Sequence, residues 1–313
     1  MRIVVAGGTG FIGRALCQRL ANAGHAVTVL TRDPETARSK VYHAVNIVPW
    51  QGFRGPTDNL AKALGDCDVV INLAGSPIAD GRWTPQTKDQ LRKSREGTTT
   101  AIVTTLAKLN TRPVLLMNAS AIGYYGPHGD EELTEEASSG HGFLAGLCRE
   151  WEGAACAAER LGVRVVMPRI GVVLGKDGGA PASTPGGALT KMLPIYRLGL
   201  GGPLGHGRQW MSWIHLDDLV ELLMFLLNHA ASGPVNATAP HPVTNAEFSK
   251  ALGQALGKPA FLRTPGFVMK LMLGEMAEEL LLTGQRVIPR RAQSLGFHFR
   301  FPFIAGALND LFR

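Results

Sequence analysis

The sequence begins Met1-Arg-Ile-Val-Val-Ala-Gly-Gly-Thr-Gly-Phe-Ile-Gly13, and this stretch decides the fold. Residues 3–6 form a short apolar, mostly β-branched run, which is typical of a buried parallel strand. Glycines follow immediately, and an apolar helix is predicted over about 11–23. A strand, a glycine-rich turn and a helix in this order provide the context that a dinucleotide-binding fingerprint requires.

The glycine spacing suits a bound dinucleotide. An early glycine permits the tight turn, and Gly10 lacks a Cβ, so the backbone can approach a pyrophosphate. Gly13 lets the helix pack closely on the strand, and the positive end of that helix would face the phosphates. A plain strand-to-helix turn is the alternative. The residues expected to contact the cofactor here are Gly7, Thr9, Gly10, Phe11, Ile12 and Gly13.

The end of the second predicted strand, residues 26–31, bears on which cofactor is bound. At such a strand end, an acidic residue holds the ribose 2′-hydroxyl of NAD, whereas an arginine accommodates the 2′-phosphate of NADP. Arg32 comes first after the strand, which favours NADP. Asp33 follows it, so a shift of one residue in the strand end would favour NAD instead.

Strands and helices alternate through the first half of the chain. Further strands are predicted over 45–48, 68–75, 114–120 and 163–168, and helices over 60–64, 86–109 and 143–161. This alternation predicts right-handed crossovers and a doubly wound parallel sheet, a Rossmann α/β fold, over residues 1–170. The fourth strand ends in small residues that would let the adenosine side of a cofactor lie against the backbone, namely Leu73, Ala74 and Gly75.

The character of the chain changes after Gly171. Residues 171–313 are predicted to form mainly a substrate-binding region that interleaves with the first half. Loops are expected over 175–187, as a flexible segment, and over 199–207, with a helix over 189–198 and strands over 210–215 and 234–238. Asp217 is predicted to cap a helix that runs to about His229. Thr244 and Glu247 form a capping-box pattern.

Composition places the chain among ordinary globular proteins. Its 313 residues are 45% hydrophobic and 18% charged, with a formal net charge of +7. The basic residues are scattered, so nucleic-acid binding is a minor option and an anionic ligand is favoured. The four cysteines lack zinc-type spacing, which predicts free thiols and no metal site. Without a signal peptide or an apolar run of about 18 residues, a cytoplasmic location and no membrane partner are expected.

Several motifs, taken in order, resemble landmarks of the extended short-chain dehydrogenase/reductases, the NAD-dependent epimerase/dehydratase superfamily. They are the glycine turn, Asn72-Leu-Ala-Gly75, Ser120 with Tyr125-Gly126, Pro168-Arg169 and Trp213-Ile-His-Leu-Asp-Asp218. The chain is also similar, along its whole length, to an atypical epimerase-family subgroup with a C-terminal extension. The motifs behind that resemblance include Ser120-Ala-x-Gly-Tyr-Tyr-Gly126, Trp151-Glu152, Trp210-Met-Ser-Trp-Ile-His215 and Gly274-Glu-Met-Ala. The resemblance implies further cofactor contacts from Ser120, Pro168 and Arg169.

The helix after the fifth strand departs from the family pattern. The resemblance implies a Tyr-x-x-x-Lys pair there, in which Lys lowers the pKa of Tyr and the phenolate moves a proton. Placing Glu152 on the family's usual acid puts Leu144 and Cys148 at those two positions. A shift by one residue puts Phe143 and Leu147 there instead. Neither register supplies the pair, so the standard mechanism does not transfer.

Replacement catalytic residues are therefore sought in the neighbouring loop. Ser120 is one candidate, and Tyr124 and Tyr125 follow it by four and five residues, so that one ring would reach the nicotinamide pocket. The alternative is that both rings pack beneath the loop.

Two further polar residues have expected structural roles. Glu152 is expected to pair with Arg149 or Arg169, and His215 to act as a helix cap or hinge.

The leading hypothesis is an NADP-dependent oxidoreductase or epimerase-like enzyme with non-standard acid and base residues. Its substrate would be a small molecule, such as a sugar nucleotide or another anionic compound, bound between the two halves. The alternative, suggested by the missing Tyr and Lys, is a catalytically inactive NADP(H)-sensing protein. Oligomeric state and substrate are not indicated by the sequence.

Overall fold

The structure, a computed structural model, describes residues 1–176 and 185–312. Residues 177–184, most of the segment expected to be a flexible loop, lie outside this part. The strands are β1 (Arg2–Ala6), β2 (Ala26–Thr31), β3 (Asn46–Pro49), β4 (Val69–Asn72), β5 (Leu115–Asn118), β6 (Ser120–Ala121), β7 (Glu132–Leu133), β8 (Arg164–Ile170), β9 (Val172–Lys176), β10 (Pro185–Gly187), β11 (Trp210–Met211), β12 (Trp213–His215), β13 (Gly233–Ala237), β14 (Val243–Thr244) and β15 (Arg286–Val287).

A parallel sheet in the order β13-β8-β5-β4-β1-β2-β3 forms the centre of the molecule. Its direction of growth reverses between β1 and β4, where Ile3 pairs with Val69 and Ala6 with Asn72. The strands are nearly continuous apolar runs because helices cover both faces of the sheet. In open α/β sheets, ligands bind at the carboxyl ends of the strands beside such a reversal.

The α-helices are α1 (Phe11–Asn22), α2 (Pro34–Arg38), α3 (Asp58–Gly65), α4 (Pro85–Arg92), α5 (Thr98–Ala107), α6 (Phe143–Cys156), α7 (Ala188–Arg197), α8 (Leu216–Asn228), α9 (Asn245–Leu256), α10 (Gly266–Leu273), α11 (Glu275–Ala277), α12 (Arg290–Ser294) and α13 (Ile304–Phe312). Helices α1 and α8 contribute to the apolar core on one face of the sheet. Helices α3, α5 and α6 contribute to the core on the other face. The Rossmann fold predicted from the glycine turn is confirmed.

Strand β13, from the second half of the chain, extends the central sheet by pairing with β8. Helix α8 leads into this strand and packs on α1. The second half also forms smaller sheets and a separate apolar core that joins α7, α9 and α13. The capping box predicted at the start of α9 is present, with Thr244 and Glu247 bonded reciprocally.

Three local predictions were wrong. The helix expected over 86–109 is interrupted by a π-helical turn, Lys93–Gly97, between α4 and α5. The strand expected over 210–215 is divided at Ser212, because its Oγ donates to Gln285 O and accepts from Val287 N. The first residue pair joins β14, whereas β12 joins β9.

The third error concerns the start of α8. Asp217 is not its cap, because the cap residue is His215, whose Nδ1 accepts the backbone N–H of Asp217 at 3.1 Å. The alternative role as a helix cap expected for His215 is therefore confirmed.

Candidate functional site

The glycine turn between β1 and α1 has the geometry of a phosphate-binding turn. Gly7 has a φ of +81°, and its carbonyl oxygen accepts the N–H of Gly10 at 3.0 Å. A Cβ on Gly13 would overlap that same carbonyl oxygen, so α1 can approach the turn this closely only with glycine. Gly10 is the N-cap of α1, and no side chain caps it. The first N–H groups of α1 therefore remain directed toward a ligand.

The neighbouring turn residues have different surroundings. Ile12 packs on the main core, and Thr9 O accepts a hydrogen bond from the Arg14 guanidinium. Phe11 lies under β10, where a Cβ on Gly186 would overlap its ring. Cofactor contact by Thr9, Phe11 and Ile12 stays a prediction.

The end of β2 separates the two residues that compete for the ribose. Asp33 is the N-cap of α2 and accepts hydrogen bonds from the hydroxyl and the backbone N–H of Thr36. These bonds hold the pKa of Asp33 below its usual value. Arg32 is exposed, and among the described residues nothing forms a hydrogen bond or ion pair with its guanidinium. Arg32 is therefore available to an anion, whereas Asp33 is engaged in capping.

The loop after β4 faces the glycine turn across the sheet reversal. Leu73 N donates to Ala6 O at 2.9 Å, and a Cβ on Gly7 would lie 2.7 Å from the carbonyl carbon of Leu73. Ala74 N donates to the buried Asn72 side chain. The backbone of this loop and that of the turn are thus in contact, as expected if both line one cleft.

A buried ion pair lies below the end of β5. Arg169 and Glu152 form a bidentate pair, with Nε–Oε1 and Nη2–Oε2 distances of 2.8 and 2.9 Å. Ser120 Oγ donates to Oε1 of Glu152 at 2.6 Å. All three side chains are buried. The pairing of Glu152 with Arg169 is confirmed, whereas Arg149 contacts Ser139 and Gly140 instead.

Tyr125 extends this network into the second half of the chain. Its hydroxyl donates to Asn236 Oδ1 at 2.6 Å and accepts from Arg169 Nη1 at 3.0 Å. The side chain is fully buried, and burial raises its pKa to about 12. Tyr124 differs, because its ring is only partly buried and lies 3.5 Å from the Arg169 guanidinium carbon.

The three catalytic candidates therefore have unequal access to a substrate. The hydroxyls of Ser120 and Tyr125 are buried and hydrogen-bonded within the protein. Pro168, in β8, is buried as well. Catalysis by Ser120, Tyr124 or Tyr125, and cofactor binding by Ser120, Pro168 or Arg169, stay predictions.

Helix α6 presents apolar side chains where an acid and a base would be expected. Leu144 is buried in a cluster with Trp83, Phe143 and Met276. Cys148 is buried, and burial raises the pKa of its thiol to about 12. At neutral pH this thiol is protonated, so it is a poor nucleophile and a poor base.

The C-terminal segment supports the start of α6 in a way that the sequence did not indicate. The carboxylate of Glu279 accepts the N–H groups of Phe143 and Leu144 at 2.8 and 2.9 Å. A negative side chain at a helix N-terminus satisfies free donors and complements the helix dipole. Lys88 of α4 also pairs with Glu275 at 2.6 Å.

One group of side chains has the spacing of a metal site. His215, Asp217 and Asp310 bring possible ligand atoms within 4.8 Å of one another. The Nδ1 atom of His215 accepts the N–H of Asp217, so a neutral ring has its proton on Nε2. In this tautomer neither nitrogen has a free lone pair for a cation, and the observed role of the His215 ring is to cap α8.

The fold and the glycine turn together define a dinucleotide-binding protein of the Rossmann class. Comparison with known families identifies it further: residues 3–238 match the NAD dependent epimerase/dehydratase family, and residues 264–311 match a domain of unknown function, DUF1731. The chain belongs to the NAD dependent epimerase/dehydratase family.

Similar proteins span nearly the same length. An Arabidopsis thaliana protein, "Epimerase family protein SDR39U1 homolog, chloroplastic", is 42% identical and matches over 99% of this chain and 86% of its own. The human epimerase family protein SDR39U1 (isoform 2), solved with NADPH, is 36% identical with a TM-score of 0.86 and 99% coverage of both chains. A UDP-glucuronic acid 4-epimerase from Bacillus cereus, solved with NAD and UDP-glucuronic acid, has a TM-score of 0.78 at 16% identity, covering 100% of this chain and 98% of its own, and so shows the fold alone.

In the part of the chain that the structure describes, no helix combines the length and apolar character needed to cross a bilayer.

Sequence reasoning missed three residues near the cleft, namely Arg95, Asn236 and Glu279. The available signal for Arg95 was the run of basic residues Lys88, Arg92, Lys93 and Arg95 on the first half of the helix predicted over 86–109.

Proposed function

We propose that this chain binds NADPH and acts as an oxidoreductase on a small carbonyl compound. The observation that carries the cofactor choice is the contrast at the end of β2, where Arg32 is exposed and available while Asp33 caps α2. An arginine here suits the 2′-phosphate of NADPH. The human relative solved with NADPH supports the same choice.

The remaining parts of the site fit this cofactor. The turn at Gly7, Gly10 and Gly13 leaves backbone N–H groups for a pyrophosphate, and the loop at Leu73, Ala74 and Gly75 lies opposite. When bound, a nicotinamide supplies a hydride to a carbonyl carbon. The chain must then supply a proton to the carbonyl oxygen.

Of the three tyrosine and serine candidates, Tyr124 is the proton donor that we favour. Its ring is the only partly buried one of the two tyrosines in the described loop 120–126, and its hydroxyl is bonded to no described side chain. Ser120 and Tyr125 instead hold the buried network in place through Glu152 and Asn236. In this proposal those two residues position Tyr124 and Arg169.

A second function has an observation of its own. Leu144 and Cys148 make the wall formed by α6 apolar and without an available acid or base. A protein that binds NADPH tightly and changes its contacts with a partner, without turnover, would fit this wall equally well.

Turnover of NADPH with a panel of small aldehydes, ketones and 2-oxo acids separates the two functions. The proposed oxidoreductase oxidises NADPH with at least one of them, and Tyr124→Phe lowers kcat by about 100-fold while leaving the NADPH affinity unchanged. Val114→Ala, at an exposed site before β5, is the matched control. No turnover across the panel, with tight NADPH binding retained, would favour the sensing function.

A further inference from the structure

Arg95 is a partly buried cation whose function none of the preceding observations explains. It lies in the π-helical turn Lys93–Gly97 between α4 and α5. Single π-helical turns inside helices occur frequently at functional sites, because the extra residue redirects side chains. Here the turn directs Arg95 toward the loop after β4, which faces the glycine turn.

The contacts of Arg95 fix its guanidinium against this loop. Its Nη2 donates to Ser76 O at 3.0 Å, and Ser94 Oγ accepts the N–H of Ser76 at the same distance. A Cβ on Gly75 would lie 3.1–3.3 Å from Cζ, Nη2 and Nε together, so the plane of the guanidinium packs on Gly75. The Trp151 ring centroid is 5.4 Å from Cζ. The guanidinium is therefore held against the loop after β4, beside Gly75 and Ser76.

This cation has no counterion among the described residues. No carboxylate there lies within ion-pair distance of Arg95, whereas Arg169 is neutralised by Glu152 through two hydrogen bonds. The neighbouring Arg92 and Lys93 pair with Glu150 and Asp89. Desolvation also lowers the pKa of Arg95. Burying a charge without a partner is unfavourable, so such a site gains most from an anionic ligand.

We propose that Arg95 binds a carboxylate of the substrate, so that the substrate class is a small oxo acid. The inference rests on the proposed function, because it takes the cleft between the two halves as the substrate site. Among the described residues, the hydrogen bonds of Arg95 use Nη1 and Nη2, and its Nε makes none. The Nε–Nη2 edge matches a carboxylate in a side-on, bidentate geometry.

A single negative charge fits this site better than a phosphate does. Arg95 supplies one uncompensated positive charge, and its surroundings include the apolar Trp151 ring and the protonated thiol of Cys148. A phosphate dianion in such surroundings would need a second cation. The nearby cations on the same segment, Arg92 and Lys93, are exposed and already paired.

The test is thermal unfolding of the full chain titrated with pyruvate, with its neutral amide pyruvamide, and with inorganic phosphate, at constant ionic strength. Each titration is run with and without saturating NADPH. Pyruvate should raise the wild-type unfolding temperature to a plateau, and pyruvamide should not. Arg95→Gln should weaken pyruvate about 10- to 100-fold, the loss expected for hydrogen bonds to a charged group.

Two further variants separate ligand binding from the structural role of Arg95. Arg95→Lys keeps the positive charge but loses the paired N–H donors of the guanidinium, so it should bind pyruvate with intermediate affinity. Arg92→Gln, three residues earlier and exposed, should bind pyruvate like the wild type. If Arg95→Gln does not fold, the pyruvate affinity of Arg95→Lys relative to Arg92→Gln decides the question.

The proposal is overturned if pyruvate has no saturable effect on the wild type, if pyruvamide is equally effective, if Arg95→Gln or Arg95→Lys leaves pyruvate binding unchanged, or if only phosphate binds. Failure of the proposed function is recognised separately. It would appear as no shift with NADPH alone, while the pyruvate shift without NADPH and its loss in Arg95→Gln remain.

Discussion

Two regions at the same edge of the central sheet, the β1–α1 turn and helix α6, differ in what forms them: backbone in the first and side chains in the second. The turn between β1 and α1 is formed by backbone, with Gly7 and Gly13 in contacts that leave no room for a side chain and Gly10 in a tight one. Helix α6, beyond the end of β5, instead carries the buried apolar side chain of Leu144, the buried thiol of Cys148 and a buried carboxylate, Glu152, that is fully paired. The turn is built from backbone, whereas α6 has neither Tyr nor Lys in either register considered for the family's pair.

This difference means that the fold itself provides for cofactor binding, whereas proton transfer depends on individual side chains. Backbone N–H groups at a helix N-terminus recognise a pyrophosphate whatever chemistry follows. Proton transfer depends on one or two side chains, and these can be exchanged without altering the fold. The cofactor turn and the network around Glu152 should therefore respond differently to substitution.

The largest effect is expected from breaking the buried pair. Glu152→Gln leaves the Arg169 guanidinium buried without a counterion and should lower the free energy of unfolding by about 3–5 kcal/mol. The exposed Glu150, which pairs with Arg92, is the matched control. Glu150→Gln should change the free energy of unfolding by only about 0–1 kcal/mol. Urea unfolding measures both variants. Equal effects would mean that the network does not support this edge of the sheet.

The next effect concerns the turn. Gly13→Ala places a methyl group on Gly7 O, so it should lower the free energy of unfolding by about 1–3 kcal/mol and abolish NADPH binding. Gly153→Ala, in exposed helical space with no atom within 4 Å of the added methyl, should instead raise stability by up to about 1 kcal/mol. Urea unfolding and NADPH fluorescence titration test both. Wild-type NADPH affinity in Gly13→Ala would contradict the assignment of the turn.

The smallest effect lies outside both regions, at the cap of α8. Burial lowers the pKa of His215, while Asp217 and Asp310 oppose this and Arg300 adds to it. Below about pH 6.5 the unfolded chain therefore binds more protons than the folded chain. As the pH decreases, the free energy of unfolding should decrease by at most about 1.4 kcal/mol per pH unit from this group.

His215→Asn keeps a hydrogen-bonding cap but does not titrate, so it should reduce this fall. Urea unfolding at about pH 7.5 and about pH 5.5, on either side of the ordinary histidine pKa, measures the difference between the two proteins. An identical pH dependence in the variant would assign the acid sensitivity to other groups.

Local patterns made much of the fold predictable. The apolar run of β1, the glycine turn and the capping box at Thr244 each depend on residues close in sequence. Asp217 was predicted to cap α8 because aspartate is a common cap residue. In the structure the cap is His215, one residue before the helix begins. Such boundaries shift by one or two residues because several side chains compete for the same N–H groups.

The candidate site was less predictable because its contacts join distant parts of the chain. Asn236 meets Tyr125 across 111 residues, and Glu279 caps α6 across more than 130. The π-helical turn that directs Arg95 has no sequence signature that distinguishes it from the ordinary helix predicted over 86–109. Of these long-range contacts, the pairing of Glu152 with Arg169 was one of the two alternatives predicted for Glu152, and it was confirmed.

Above all, we infer that Arg32 makes this chain select NADPH. Thermal unfolding should be measured with NADPH and with NADH for the wild type, Arg32→Ala and Arg38→Ala, the last an exposed arginine of α2. A cofactor at roughly 100 times its Kd adds about 2.7 kcal/mol of stability. We expect a larger shift with NADPH than with NADH in the wild type and in Arg38→Ala, and equal, small shifts in Arg32→Ala. A larger shift with NADH, or an NADPH shift that survives in Arg32→Ala, would contradict it.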